Sequence, residues 1–328
     1  MPEAPFISYA QNGEDVVLWR ALQPVTNGRY VEVGANHPTD DSVTRAFYDR
    51  GWSGVTVEPV AHLSALHRAE RPRDTQVQAA ITSDPVDEVV LHVIPDSGLS
   101  TLDDDIVEKH RAAGIDHVDT TVAARRLDDV LEENGFAGKE IHFLLIDVEG
   151  AEAKALESID LTRWRPWVVV VEATLPNSTT PTHEGWEPSL LAAGYEFCLF
   201  DGVSRFYVAE EKAADLKANL LYPACALDRF VDHRLLAARA ETAATTAEKE
   251  AEIAEKEAEV HTLTRQVLHW RNLSLQGWAT AQLTEDRSAE FEEHFRAEVA
   301  AMQKTLSWRV TKPLRGVRRL GNIVRGRR

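Results

Sequence analysis

Long hydrophobic runs are missing from this 328-residue chain: the longest is Trp167–Val171, far short of the ~20 residues a membrane-spanning helix needs. No charged-then-apolar leader opens the sequence either, so a soluble, cytoplasmic protein is expected. Cysteine is nearly absent. Cys198 and Cys225 are the only two, which removes a disulfide framework from consideration. Positive charge is scarce over most of the length. The net charge is −17, yet residues 304–328 hold nine Lys/Arg and no acid, which leaves 27 Lys/Arg against 53 acids, or −26, in the rest. Nucleic acid is an unsuitable partner for so acidic a body. With 44% hydrophobic residues the chain has material for a sizeable core.

Two segments carry the first functional signal. RYVEVGANHP (Arg29–Pro38) and GVTVEP (Gly54–Pro59) are apolar strands, each ending in an acidic residue or a tight turn. The first runs into Glu32, Gly34 and Asn36, where a residue without a β-carbon lets the backbone pass close to a ligand and aims amide N–H groups at it. The second ends in Glu58, 26 positions after Glu32, where a carboxylate can accept both hydroxyls of a ribose. NAD and S-adenosylmethionine both offer that diol. Glycine separates them: a pyrophosphate-wrapping loop wants three at G-x-G-x-x-G, and here Gly34 is followed by Asn36 and Pro38. The pattern favours S-adenosylmethionine over a dinucleotide.

Apolar β-branched runs alternate with helical patterns up to about Glu211, which predicts parallel βαβ units and an α/β fold. Helices are expected at 14–22, 42–50, 61–70, 127–134, 151–158 and 184–193. Strands are expected at 30–33, 54–57, 75–81, 89–94, 141–147 and 167–172, with a final pair at 196–200 and 205–208 joined around Asp201-Gly202 as a hairpin. A seven-stranded sheet with a terminal antiparallel hairpin describes a class I, Rossmann-like methyltransferase better than a six-stranded parallel dehydrogenase. Domain boundaries are expected at 1–230 for this unit, 231–303 for a helical coiled-coil segment and 304–328 for a basic tail.

The blocks SYAQNGEDVVL (Ser8–Leu18), YVEVGANHP, DSVTRAFYDRGWSGVTVEP (Asp41–Pro59), GLSTL (Gly98–Leu102), FLLIDVEGAE (Phe143–Glu152) and FDGVSRFYV (Phe200–Val208) occur in this order. Together they resemble an FkbM-type methyltransferase over roughly residues 6–212. The resemblance implies a class I methyltransferase fold and O-methylation of a hydroxyl, often on a sugar or natural-product scaffold. Many relatives have lysine where this chain has Leu145 and glycine where it has Pro38, so roles tied to those positions do not transfer. It also implies that Glu32, Gly34 and Asn36 surround the methionyl moiety, that Glu58 holds the ribose, and that Pro59, Ala80 and Ile81 flank the adenine. Gln11 and Glu14 are placed on an N-terminal helix that either closes over the cofactor or simply caps itself.

Chemistry is expected at IDVEGAE. Asp147 ends a strand at the ligand-binding edge of the sheet, and Glu149 and Glu152 follow it. Transfer of a methyl group from a sulfonium to an alcohol needs in-line approach and removal of a proton, and a carboxylate crowded by its neighbours has the raised pKa of a base. Asp147 or Glu149 is the candidate base. Otherwise Asp147 orients the cofactor and Glu149-Gly150 only turns the chain. Asp147 and Glu172 end neighbouring strands and could hold Mg²⁺, but the sequence offers no third ligand and no metal is assigned. His37 is either a base beside the cofactor loop or a turn residue. His142 reads as core, His183 as part of a substrate rim, and Ser100 and Thr101 as facing the cofactor pocket.

Beyond Val231, AEKEAEI (Ala247–Ile253) is repeated at once as AEKEAEV (Ala254–Val260). Alanines 240, 244, 247, 251, 254 and 258 alternate four and three spacing, the seam of a self-associating coil or the mark of a solvated spacer helix. In Ser307–Arg328, apolar residues at mostly three and four spacing lie among arginines. Such a tail suits an anionic membrane surface at the inner face of the membrane, or an acidic partner. The leading reading is an O-methyltransferase acting on a sugar or glycan hydroxyl, in polysaccharide or natural-product biosynthesis. The alternative is an inactive cofactor-binding scaffold that recruits partners through its coil and tail.

Overall fold

The computed structural model describes residues 5–95, 97–281, 288–305 and 308. The chain divides into two compact units, 1–239 and 240–328. Strands in chain order are β1 (Phe6–Ser8), β2 (Arg29–Val33), β3 (Ser53–Val57), β4 (Thr75–Val77), β5 (Ala80–Ile81), β6 (Glu88–Val93), β7 (Val118–Arg125), β8 (Phe143–Ile146), β9 (Val168–Glu172), β10 (Tyr195–Phe200), β11 (Ser204–Ala209) and β12 (Phe230–Asp232). Seven of them form the main sheet in the order β10-β11-β9-β8-β2-β3-β4. Only β11 runs against the others. This is the seven-stranded α/β sheet that the alternation predicts, ending in its antiparallel hairpin.

Strand composition explains the layering. In β9, Val168–Val171 are all fully buried, as befits a parallel strand covered on both faces. Val168 and Val170 enter one core with Tyr30, Phe143, Phe206 and the helix residues Val17, Leu18 and Leu22. Val169 and Val171 enter the other with Val31, Val55, Ile146 and the helix residues Leu127, Leu131 and Leu156. Burying each such side chain contributes about 1.5–3 kcal/mol, so the two-sided strands fix the register of the sheet. At the hairpin, the Asp201 carboxylate accepts the N–H groups of Val203 and Ser204 at 2.9 and 2.7 Å, and Gly202 supplies the positive φ.

Some elements differ from the sequence reading. The single strand expected at 75–81 is two: β4 stays at the edge of the main sheet, and β5 leaves it to pair with β7 in a three-stranded sheet, β5-β7-β6. Periodicity cannot register a change of partner. Residues 95–126 hold a helix, Asp104–Ala112, whose Asp103 cap accepts the N–H groups of Asp105 and Ile106, and the mostly exposed β7, VDTTVAAR, too polar to stand out. The helix expected at 42–50 shrinks to Arg45–Tyr48. Three-residue β1 and β12 pair in parallel, so the chain before the sheet and the chain after it are joined.

In the second unit the dominant element is a helix, His233–Ala281, that starts in the first unit and is exposed along nearly its whole described length. A shorter helix, Ser288–Lys304, follows. Among the described residues, no helix is long and apolar enough to cross a membrane. The expectation for the basic tail falls almost wholly outside the described residues.

Candidate active site

Four adjacent parallel strands of the main sheet stop on one line. Register pairs Val33 with Val57, Val33 with Ile146, and Ile146 with Val171. The next residues, Glu58, Gly34, Asp147 and Glu172, therefore form a row across the carboxyl edge. At the usual strand spacing the row is about 14 Å long. It straddles the place where chain order reverses, with β3 and β4 to one side of β2 and β8 and β9 to the other. That crevice is where open α/β sheets bind ligands.

Gly34 is the gap in the row. Its φ is +83°, and a Cβ there would lie 1.6 Å from the Asp147 carbonyl oxygen. The close approach that demands glycine is thus to the neighbouring strand rather than to a ligand. The amides differ from expectation as well: Gly34 and Ala35 donate to the Val57 carbonyl at 3.0 and 3.1 Å, and Asn36 donates to Glu58 Oε2 at 2.9 Å. All three N–H groups are satisfied within the protein.

A cleft opens over the Glu58, Gly34 and Asp147 part of this row. Of the residues expected around a cofactor, Gly34, Asn36, Glu58, Pro59, Ala80, Ile81 and Asp147 line it, and so do Ser100 and Glu149. Glu58 Oε1 accepts the Val60 N–H at 2.7 Å, so both carboxylate oxygens are anchored and each keeps a further acceptor position. Burial pushes the Glu58 carboxyl up to about 7 despite those two N–H groups. Apolar Ala80, Ile81 and Leu91 form a slot beside it.

The other end of the row is acidic. Oxygens of Asp147, Glu149 and Glu172 all lie within 4.8 Å of one another. Glu152, expected in this set, turns back instead: its Oε1 accepts the Gly150 N–H at 2.9 Å and holds the loop. Glu149 sits in a left-handed conformation, φ +50°, and the Thr101 hydroxyl donates to its carbonyl at 2.6 Å. Asp147 has surface open to the cleft yet is hemmed in by protein, and it is the enclosure that raises its pKa. Burial, then the Asp147 and Glu152 charges, raises Glu149. Burial, then Asp147 and Glu149, raises Glu172. Burial in all three, and neighbouring negative charge at Glu149 and Glu172, thus favour the protonated form over the ordinary carboxylate.

The sequence matches the family described as Methyltransferase FkbM domain over residues 32–197, half of the chain. The chain belongs to the FkbM methyltransferase family. No curated protein matches it. Among solved structures, it is similar to a TehB-like SAM-dependent methyltransferase from Corynebacterium glutamicum, at 8% identity and a TM-score of 0.34, over 61% of this chain and 88% of that one. It is also similar to the putative methyltransferase yhhF from Escherichia coli, at 12% identity and a TM-score of 0.32, over 62% of this chain and 91% of that one. Both likenesses are loose, and the family assignment stands on the sequence match.

Other residues singled out in this FkbM-family chain sit outside the row. Glu32 is buried at 2% exposure, accepts the Thr44 hydroxyl at 2.6 Å and lies 4.0 Å from Arg71. Gln11 is exposed and precedes the helix, which begins at Glu14, and the buried Glu14 accepts the Asn12 N–H at 3.0 Å. His37 Nδ1 accepts the N–H groups of Thr39 and Asp40 at 3.2 and 2.9 Å, a turn-holding arrangement beside a second groove that shares Asn36 and Ser100 with the cleft. His142 is buried, with its ring against Trp52 and Trp167. The Thr182 N–H donates to the carbonyl of Ala173, the residue after Glu172. Near it Thr182 Oγ1, His183 Nδ1 and Trp186 Nε1 are buried without hydrogen-bond partners.

Two positioning residues escaped the sequence reading. His67, on the helix Ala61–Glu70, is 1% exposed and its Nε2 bonds the Asn36 carbonyl at 3.0 Å, holding the loop after β2; burial lowers its pKa to about 4, so it is neutral and donates. Arg71 is fully buried and binds Asp74, Ser42, Tyr30 and Thr44 beneath β2. Buried polar groups need partners, but nothing in linear spacing marks a histidine or arginine as one of them.

Proposed function

We propose that this FkbM-family protein is an S-adenosylmethionine-dependent O-methyltransferase acting on a hydroxyl of a sugar, glycan or glycosylated intermediate. The observation that carries this is the row across the sheet edge, with one anchored carboxylate at Glu58, a gap at Gly34, and a carboxylate set at Asp147. Bound there, S-adenosylmethionine would supply an electrophilic methyl group, its sulfonium sulfur keeping the electrons of the carbon–sulfur bond when the methyl passes to the acceptor oxygen.

Glu58 would accept the ribose hydroxyls, and the slot of Pro59, Ala80 and Ile81 would take the base. Asp147 or Glu149 would receive the proton of the acceptor hydroxyl, because burial raises the proton affinity of both and, at Glu149, the Asp147 and Glu152 charges raise it further. Polysaccharide or natural-product assembly is the setting this chemistry suits.

Calorimetric titration of the full chain with S-adenosylhomocysteine, and separately with NADH, tests the reading. S-adenosylhomocysteine should bind and NADH should not. Glu58→Gln should weaken the former about tenfold or more, because a charge-assisted hydrogen bond contributes about 1.5–3 kcal/mol. NADH binding alone, or a Glu58→Gln protein with undiminished affinity and native circular dichroism, refutes it.

A further inference from the structure

We infer that Asp147, Glu149 and Glu172 form a binding site for a hard divalent cation of the Mg²⁺ type. The sequence supplies two candidate ligands on neighbouring strand ends; the structure supplies the third, because the left-handed turn at Glu149 returns its carboxylate toward the other two. Ligand oxygens on one such ion sit ~2.0–2.6 Å from the metal, which places them up to about 5 Å from each other. The three carboxylates already meet that limit, with their oxygens within 4.8 Å.

The second observation is unsatisfied chemistry. Glu172 is 7% exposed, and both its Oε2 and Glu149 Oε2 are closed off from solvent with no hydrogen-bond partner. Among the described residues, no ion pair with Lys or Arg includes Asp147, Glu149 or Glu172, and the charges that act most on Glu149 and Glu172 are those of neighbouring acids. Gathering acidic groups in an enclosed place without a counter-charge is costly. One cation would satisfy the orphaned oxygens and offset the repulsion together. The donor set is all carboxylate, with no imidazole or thiolate, which selects Mg²⁺, Mn²⁺ or Ca²⁺ over Zn²⁺. Asp147 has surface open to the cleft, so the remaining coordination positions face it, where water or a substrate hydroxyl completes the shell. Carboxylates that ligate the ion no longer hold the proton affinity of a base, so a bound ion takes over from them the activation of the hydroxyl; that role rests on the methyltransferase reading, whereas the binding itself does not.

The test is a titration of the full-length protein with Mn²⁺, without cofactor, following free Mn²⁺ by electron paramagnetic resonance. One equivalent should bind and be displaced by Mg²⁺, and Glu172→Gln and Glu149→Gln should each weaken it by about 10–100-fold or more, since losing even a residue that only supports a metal ligand costs that much. Absence of saturable binding at millimolar Mn²⁺, or affinity unchanged in both variants, overturns the inference and leaves the carboxyls as a proton-sharing group. S-adenosylhomocysteine is titrated into the same samples. A protein that takes up S-adenosylhomocysteine but no Mn²⁺ refutes the cation alone, and one that takes up Mn²⁺ but no S-adenosylhomocysteine refutes the cofactor reading alone.

Discussion

Replacing Gly34 by alanine tests the geometry on which the site depends. The new Cβ would start 1.6 Å from the Asp147 carbonyl oxygen, where ordinary contact begins near 3.4 Å, so the ends of β2 and β8 must part by nearly 2 Å. Two costs add. Left-handed backbone costs a residue with a β-carbon about 1–2 kcal/mol, and forcing extra volume into a packed place costs about 1–3 kcal/mol. Gly135 separates them: its φ is +68° and nothing lies within 4 Å of where its Cβ would be, so Gly135→Ala incurs only the first cost. In a unit of this size each kcal/mol moves Tm by about 2–4 °C. Gly34→Ala should then melt about 4–20 °C lower and Gly135→Ala about 2–8 °C lower, by calorimetry. Because parting the strands also breaks the row between Glu58 and Asp147, Gly34→Ala should lose S-adenosylhomocysteine affinity about tenfold or more, or about 1.4 kcal/mol, while Gly135→Ala keeps it. Equal melting of the two variants, or full ligand affinity in Gly34→Ala, would refute the reasoning.

Two further expectations follow from the same structure. Burial holds the Glu58 carboxyl at about 7, above the ordinary 4.5. Accepting two hydroxyls needs the ionised form, so below pH 7 binding must first expel a proton. S-adenosylhomocysteine affinity should be full above about pH 8, fall toward tenfold per pH unit below 7, and lose that slope in Glu58→Gln; a flat wild-type profile would count against Glu58 as the ribose acceptor. In the long helix, Ile253, Val260 and Val267 recur at seven-residue spacing and are 57%, 61% and 64% exposed, which fits pairing with a second copy of the chain. Replacing all three by glutamate should lower the mass found by light scattering, and an unchanged mass would make the helix a spacer.

The fold is legible in the sequence where one residue type repeats under one constraint. Four consecutive valines in β9 read as a strand buried on both faces, and alternation of such runs with helices gives the sheet class and its hairpin. It is illegible where the constraint is a change of neighbour: nothing in TQVQAAI tells that Val77 belongs to one sheet and Ala80 to another. The site divides the same way. Glu58 and Gly34 are visible because each stands at the end of an apolar run, where a charge or a missing β-carbon calls for a reason. Glu152 stands close enough to the acids for its charge to be felt at Glu149 and Glu172, as linear proximity suggests, but its carboxylate accepts the Gly150 amide two residues away, which spacing does not reveal. Glu172 shows the converse. It stands 25 positions from Asp147, but the pairing of Ile146 with Val171 sets the two acids side by side at the same sheet edge. A parallel sheet builds its site from residues one step beyond paired positions, so the partner of a carboxylate at the sheet edge is found by register, and register is fixed by the apolar residues before it. The valines that appear only structural are what bring Asp147 and Glu172 together.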